Sequence, residues 1–226
     1  MGLELRDVTK AYDVGDKKKK VLDEVSLTIE DGELVAICGK SGAGKSTLIH
    51  MLGLLDKPDS GKILIDEVDA SSLSEQKKAA MRNKKLGFVL QDFGLIEGET
   101  AYNNVRVPLL LGSVKFGQID GLVSEKLKEL DIYELAEKDV SLLSGGEKQR
   151  VAIARAIVNN PDYILADEPT GSLDSANAAN VMGILKKLNK EGKTVVIVTH
   201  DMEIANMCDR IIHIMDGKTS IDKTNN

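Results

Sequence analysis

The sequence predicts an α/β protein: a mostly parallel sheet covered on both faces, an N-terminal antiparallel β subdomain and an inserted α-helical subdomain. Three observations lead there. Short continuous apolar runs at 34–38, 86–90, 163–166, 194–198 and 211–215 have the length and composition of strands buried on both faces. Amphipathic stretches lie between them, as at 175–189, where Ala178, Val181, Met182 and Leu185 share one face. Buried strands alternating with helices imply a parallel sheet between helical layers. From 92 to 143 that rhythm stops, and the segment reads as helix (101–111, 122–130) with no strong strand.

At the N-terminus, 3–8 and 22–29 alternate apolar and polar residues, as a half-exposed antiparallel pair does. Between them, Val14, Gly15 and Asp16 followed by Lys17, Lys18, Lys19 and Lys20 read as the connection. The lysines are taken as a solvated turn in preference to a phosphate or lipid contact. The buried strand 34–38 runs into Gly39-Lys40-Ser41-Gly42-Ala43-Gly44-Lys45-Ser46, then Thr47, with a helix expected over 45–54. This spelling, after a strand and before a helix, is that of a phosphate-binding loop. Glycines let successive N–H groups converge on phosphate oxygens where a side chain would block the approach. The helix N-terminus adds partial positive charge at the same point. Lys45 would neutralise the β and γ phosphates, and the Ser46 hydroxyl would ligate Mg²⁺. The dinucleotide fingerprint is excluded, because Gly44 is followed by Lys45, Ser46 and Thr47 rather than by x-x-Gly. The core is therefore expected to be a P-loop NTPase of the RecA-like kind.

Such a site needs a carboxylate at the end of a buried strand. The run Tyr163-Ile164-Leu165-Ala166-Asp167-Glu168 supplies two: Asp167 for the metal and Glu168 as general base for the attacking water. His200 closes the strand 195–199, so it should emerge on the same edge and reach the γ-phosphate. His50 and His213 read as structural. Ahead of a helix expected over 151–158 stands Leu143-Ser144-Gly145-Gly146-Glu147, a second anion grip at a helix start. Two grips and one cradle are reconciled by a head-to-tail dimer, in which each chain clamps the nucleotide held by the other.

These residues together resemble the ATP-binding-cassette (ABC) ATPase family over nearly the whole chain, with the motifs in the family's order. The resemblance implies that Ser144, Gly145, Gly146 and Glu147 are the signature motif completing the partner's ATP site. Tyr12 is similar to the aromatic that stacks on adenine. Gln91, after Phe88-Val89-Leu90, is similar to the glutamine that contacts Mg²⁺ and links to the membrane subunit. Ser172-Leu173-Asp174 looks like the D-loop, and His200 like the switch histidine. Leu165-Ala166-Asp167-Glu168-Pro169-Thr170-Gly171-Ser172-Leu173-Asp174 is similar to the bacterial branch of macrolide exporters, lipoprotein-releasing and cell-division ATPases, and bacitracin-type resistance transporters. The segments 92–98 and 105–110 look like this branch too. Lys40 stands where that branch usually has Pro, and 138–141 lacks the Pro common there.

Composition narrows the function classes. With 42% hydrophobic and 29% charged residues the chain can fold around a core, and 226 residues make that core sizeable without disulfides. One domain is expected, with 1–91 and 144–226 forming the ATP-binding core and 92–143 the helical subdomain. A net charge of −6 disfavours a protein that coats nucleic acid, and four Tyr, three Phe and no Trp disfavour a base-stacking platform. No apolar run reaches the ~20 residues that span a bilayer. The first residues lack a secretion-signal layout. Cys38 and Cys208 make no metal-ligand spacing and agree with a reducing compartment. The polar tail after Gly217 is expected to fray.

The expected function is thus an ATP-binding and ATP-hydrolysing subunit using ATP and Mg²⁺, dimerising on ATP at the cytoplasmic face of the membrane and driving a separate permease subunit. A longer fusion, with the tail as linker, would carry the same sequence. Peptide-antibiotic export or resistance leads, with mechanotransmission for lipoprotein release or cell-wall and division control beside it. A soluble ABC ATPase acting on DNA or ribosomes is the competing class. DNA-repair heads carry a long coiled-coil insertion that 92–143 is too compact to be, and ribosomal members usually carry two cassettes per chain. A GTPase needs Asn-Lys-x-Asp, whereas Asn189-Lys190-Glu191 ends in Gly192.

Overall fold

The computed structural model describes residues 2–15, 17–112 and 114–221. Strand β1 (Gly2–Val14) pairs antiparallel with β2 (Lys17–Glu30) and with β4 (Ser60–Ile65), and β4 pairs with the short β5 (Val68–Asp69), giving a four-stranded sheet in the order β2-β1-β4-β5. The second sheet holds β3 (Leu34–Cys38), β6 (Leu86–Val89), β7 (Tyr163–Asp167), β8 (Thr194–Thr199), β9 (Arg210–Met215) and β10 (Lys218–Ile221), in the order β10-β9-β3-β8-β7-β6. Its pairs are parallel except β9–β10.

Helices α1 (Lys45–Leu52), α5 (Gly145–Ile157), α6 (Ser175–Lys190) and the one-turn α7 (Met202–Ala205) belong to the core around that sheet. Helix α2 (Glu75–Lys85), capped by the Ser74 hydroxyl, leads into β6. The inserted lobe carries α3 (Ala101–Leu111), capped by Thr100, and α4 (Phe116–Glu129).

Residues alternate across β3, and this alternation divides the core. Leu34, Ala36 and Cys38 join one buried cluster with the inserted lobe, α5 and α6; Val35 and Ile37 join another with α1 and the antiparallel sheet. Burial above all, with nearby carboxylates adding to it, lifts the Cys38 thiol to about 11 and the Cys208 thiol to about 12, so neither is a poised thiolate.

Several sequence expectations are corrected. Lys17, Lys18, Lys19 and Lys20 are the first residues of β2, paired with Val14, Asp13, Tyr12 and Ala11, and not a turn. Asp16 of the expected connection lies outside the described residues. The tail does not begin at Gly217: Lys218–Ile221 pairs with β9, and 222–226 lies outside the described residues. The helix expected over 151–158 begins at Gly145, and α4 begins at Phe116 rather than 122. The hairpin β4–β5 and helix α2 had no counterpart in the sequence reading.

Candidate functional site

Strand order places the chemistry. Cys38 pairs with Thr199, Asp167 with Val198 and Val89 with Ala166, so β3, β8, β7 and β6 end level at one carboxyl edge. The segments that follow them carry Gly39–Ser46, His200, Glu168 and Gln91. Ligands of open parallel sheets bind at this edge.

The cradle's glycines are required by space as well as by backbone angle. A Cβ on Gly39 would lie 2.4 Å from the Ile214 carbonyl oxygen, and one on Gly44 would lie 2.7 Å from that of Val21. Gly42 and Gly44 have φ of 76° and 108°, the second where α1 begins. Ala43 N donates to Lys40 O, closing the turn, while Lys40, Ser41 and Gly42 face solvent. Lys45 is buried, and its Nζ donates to Gly39 O at 2.9 Å and Lys40 O at 3.3 Å. The cation thus rests on its own loop. Ser46 is exposed, and Thr47 lies close enough to act on the Tyr12 phenol.

Asp167 and Glu168 differ although they are neighbours. Burial pushes the Asp167 carboxyl above the usual carboxylate range; the Ser46 hydroxyl opposes this by hydrogen bonding, and Oδ1 of Asp167 is buried without a partner. An orphaned carboxylate oxygen beside a serine hydroxyl suits a hard cation, whose ligands are oxygens. Among the described residues no cluster of three or more His, Cys, Asp or Glu side chains could hold a metal by itself. Glu168 has φ of +47°, held by Glu168 N donating to Val198 O and by Gly171 N donating to Glu168 O. Its carboxylate meets His200 Nδ1 at 2.9 Å and 3.0 Å. The His200 side chain is 70% exposed and that of Glu168 12%, so the pair forms a wall of the site with the histidine outermost.

Gln91 is exposed, its amide lies near Gly171 just beyond Glu168, and its carbonyl accepts from Ser172 Oγ. Tyr12 is 38% exposed on β1. Its hydroxyl donates to Asp56 Oδ2, and Lys10 Nζ lies 5.1 Å from the ring centroid while also bonding Asp56 Oδ1. Asp56 and Lys10 were not singled out from the sequence; an Asp in a loop carries no signal until the fold brings it to Tyr12.

The second grip is arranged differently. Ser144 caps α5 in a reciprocal box: Glu147 N donates to Ser144 Oγ, while Ser144 N and Oγ donate to Glu147 Oε2. These two side chains thus engage each other within one helix turn. Hydrogen bonding from Ser144 keeps the Glu147 carboxyl below its usual range. A Cβ on Gly146 would meet Asn177 Oδ1 at 2.2 Å, and Gly145 lies against Leu173. Asp174 caps α6 through Asn177 N and also accepts from Asn177 Nδ2. The head of α5 and the segment 173–177 are therefore packed as one block. Asn177 and Gln149, whose amide donates to Pro169 O, went unread, and the Ser-x-x-Glu spacing was the available signal for the cap.

Between α2, β6 and the end of α3 opens a cleft of about 1090 Å³, lined among others by Leu55, Phe88, Pro108, Leu111, Val114 and Arg155. Leu111 on its rim is 77% exposed. No helix among the described residues is long and apolar enough to cross a membrane.

Comparisons with known proteins agree with this geometry. The family model described as ABC transporter matches residues 22–171. An uncharacterized ABC transporter ATP-binding protein, YvrO, of Bacillus subtilis is 39% identical over 221 residues, covering 98% of this chain and 96% of that protein. An uncharacterized ABC transporter ATP-binding protein of Methanocaldococcus jannaschii, MJ0796, is 45% identical over 221 residues, covering 96% and 94%. The macrolide export ATP-binding/permease protein MacB of Chlorobium luteolum is 45% identical over 98% of this chain, which spans only 33% of MacB. A solved dimeric structure of MJ0796, in a post-hydrolysis state bound to ADP and Pi, superimposes with a TM-score of 0.92 and 41% identity over 99% of each chain.

Proposed function

The chain belongs to the ABC transporter family as an ATP-binding subunit, and on that premise we propose that it hydrolyses ATP between two copies of itself and drives a separate permease. The observation that carries the reading is the convergence of the Gly39–Ser46 cradle, Asp167 and the Glu168–His200 pair at one sheet edge. Lys45 releases the loop carbonyls and takes the β and γ phosphates. Glu168 accepts the proton of the attacking water, and His200, hydrogen-bonded to it, meets the γ-phosphate. Tyr12 offers the ring face away from Lys10 to adenine. Oxygens of Ser46, Gln91 and Asp167 would hold Mg²⁺, which when bound spreads the phosphate charge. The post-hydrolysis dimer of MJ0796 supports both the reaction and the assembly.

The second copy supplies Ser144, Gly145, Gly146 and Glu147 to the nucleotide, with Asp174 at the seam. The apolar cleft beside β6 suits a helix of the permease on the cytoplasmic face of the membrane. Export of a peptide antibiotic or a related efflux is the cargo reading; similarity to the macrolide exporter MacB supports the efflux part of it. Mechanotransmission for lipoprotein release or cell-wall and division control follows if the permease carries no cargo path.

The test is a pull-down of the Glu168→Gln chain from native membranes in mild detergent with ATP. A permease with a large extracytoplasmic domain is the expected companion, and that domain would define the cargo. Recovery with nucleic acid or ribosomes and no membrane protein would sink the transporter reading.

A further inference from the structure

Gln149 is the feature that nucleotide chemistry leaves unexplained. It lies in the second turn of α5 and is 1% exposed, on a helix whose other buried residues are aliphatic or glycine. Its Nε2 donates to Pro169 O at 2.7 Å, while its Oε1 is buried with no partner. A carbonyl only accepts, so the amide must present nitrogen to Pro169. An apolar side chain of the same length would fill the space without stranding an acceptor, so packing does not explain a glutamine here.

Its partner has the chemical interest. Pro169 follows Glu168, whose left-handed backbone persists only because its surroundings over-determine it. The Glu168 N–H is held by Val198 and its carbonyl by Gly171, both within the core sheet and its own turn. The Gln149 bond reaches that turn from a different element. Helix α5 carries Ser144, Gly145, Gly146 and Glu147 at its N-terminus, one turn before Gln149. The same first turn is seated on the following loop through Gly146 against Asn177 and Gly145 against Leu173.

We propose that Gln149 is a positioning residue that ties the general base of one ATP site to the grip on the other: a shift of α5 as Ser144 and Glu147 close on the partner's nucleotide reaches Pro169 through the Gln149 amide and sets the Glu168 carboxylate. Each site's base then responds to occupancy of the opposite site. Held by its donor alone, the amide can follow the helix without breaking a second bond. The inference rests on the ATPase and head-to-tail reading above.

The test uses Gln149→Met, which keeps length and burial and removes the donor, with Gln149→Leu as a second variant should Met fail to fold. ATP turnover is measured against ATP concentration, and ATP-dependent dimerisation is measured in the Glu168→Gln background. The expected result is a kcat at least tenfold lower, a KM within twofold of wild type, a Hill coefficient falling towards 1, and dimerisation retained. Wild-type kcat and Hill coefficient in a folded variant would overturn the proposal. A parallel loss of melting temperature, KM and dimerisation would also overturn it, since that is a packing role. If the wild-type chain neither hydrolyses ATP nor dimerises as Glu168→Gln, the reading beneath falls with it, and that outcome is distinct from either of the others.

Discussion

Lys45 Nζ occupies the carbonyl oxygens of Gly39 and Lys40, so the cradle is pre-formed around a cation that a polyphosphate must attract away. Removing one partner of a buried charged pair costs about 2–5 kcal/mol, so Lys45→Ala should weaken ATP binding by roughly 30-fold or more. Titration with a fluorescent ATP analogue reads this directly, and unchanged affinity would refute the cradle. Asp167 makes the opposite case, a group that folding disfavours. Burial raises its folded carboxyl above the ordinary range, so the native state binds the proton more tightly than the unfolded chain does. Stability contributed by the protonated form is full below the ordinary carboxylate value and is lost as pH rises through the raised one. Asp167→Asn should therefore raise the melting temperature of the nucleotide-free chain at pH 7 to 8, with the gain vanishing near pH 4. In a chain of this size each kcal/mol moves the midpoint by roughly 2–4 °C. The same variant should lose Mg²⁺-dependent turnover, and a lowered melting temperature would show that Asp167 is satisfied rather than stranded.

At the scale of elements, what the sequence revealed depended on whether local chemistry was sufficient. Strand β3 was legible to the residue because five consecutive buried positions admit no other reading between Glu33 and Gly39. Strand β10 is equally legible in principle: Asp216 and Gly217 have φ of 49° and 76°, the two-residue hairpin turn that Asp-Gly favours, although the polar residues after it resemble a fraying tail. The turn at Asp66 and Glu67 has the same positive angles without a glycine, so no local rule finds β5. The lysines at 17–20 form a strand because pairing with β1 overrides their weak propensity; at the sheet edge they also discourage pairing with another chain. The placement of Gly39–Ser46, Asp167, Glu168 and His200 at one sheet edge was legible because each closes or follows a buried strand. Asn177 and Gln149 were not, since their importance comes from contacts between α5, α6 and the turn after β7. Gly146 tests that packing. Alanine in a helix gains about 1 kcal/mol over glycine, whereas a methyl forced into a filled space costs about 1–3 kcal/mol. Asn177 cannot simply swing aside, because Asp174 holds its amide. Gly146→Ala is therefore expected to destabilise the chain, and Asn177→Ala to restore the loss. A urea-unfolding double-mutant cycle measures the coupling, and strict additivity would mean the two do not touch in solution.

At the scale of the whole molecule the proposed reading makes each chain contribute one half of a site to its own nucleotide and the other half to its partner's. The cradle lies at the carboxyl edge of β3, whereas Ser144 and Glu147 close a box on each other at the head of α5, where Gly145 and Gly146 lie against Leu173 and Asn177. A two-fold arrangement that pairs each cradle with the other chain's signature makes two complete sites and leaves no open end for further growth. Complementation separates this from a site built within one chain. Lys45→Ala destroys a chain's cradle, and Ser144→Arg destroys its signature, so each homodimer is inactive at both sites. In the mixed dimer one site inherits both lesions and the other inherits neither. Random mixing makes half the dimers heterodimers with one intact site of two, so up to about a quarter of wild-type turnover should return. If each chain instead completed its own site, every site in the mixture would carry one lesion, and turnover would not exceed that of the separate variants.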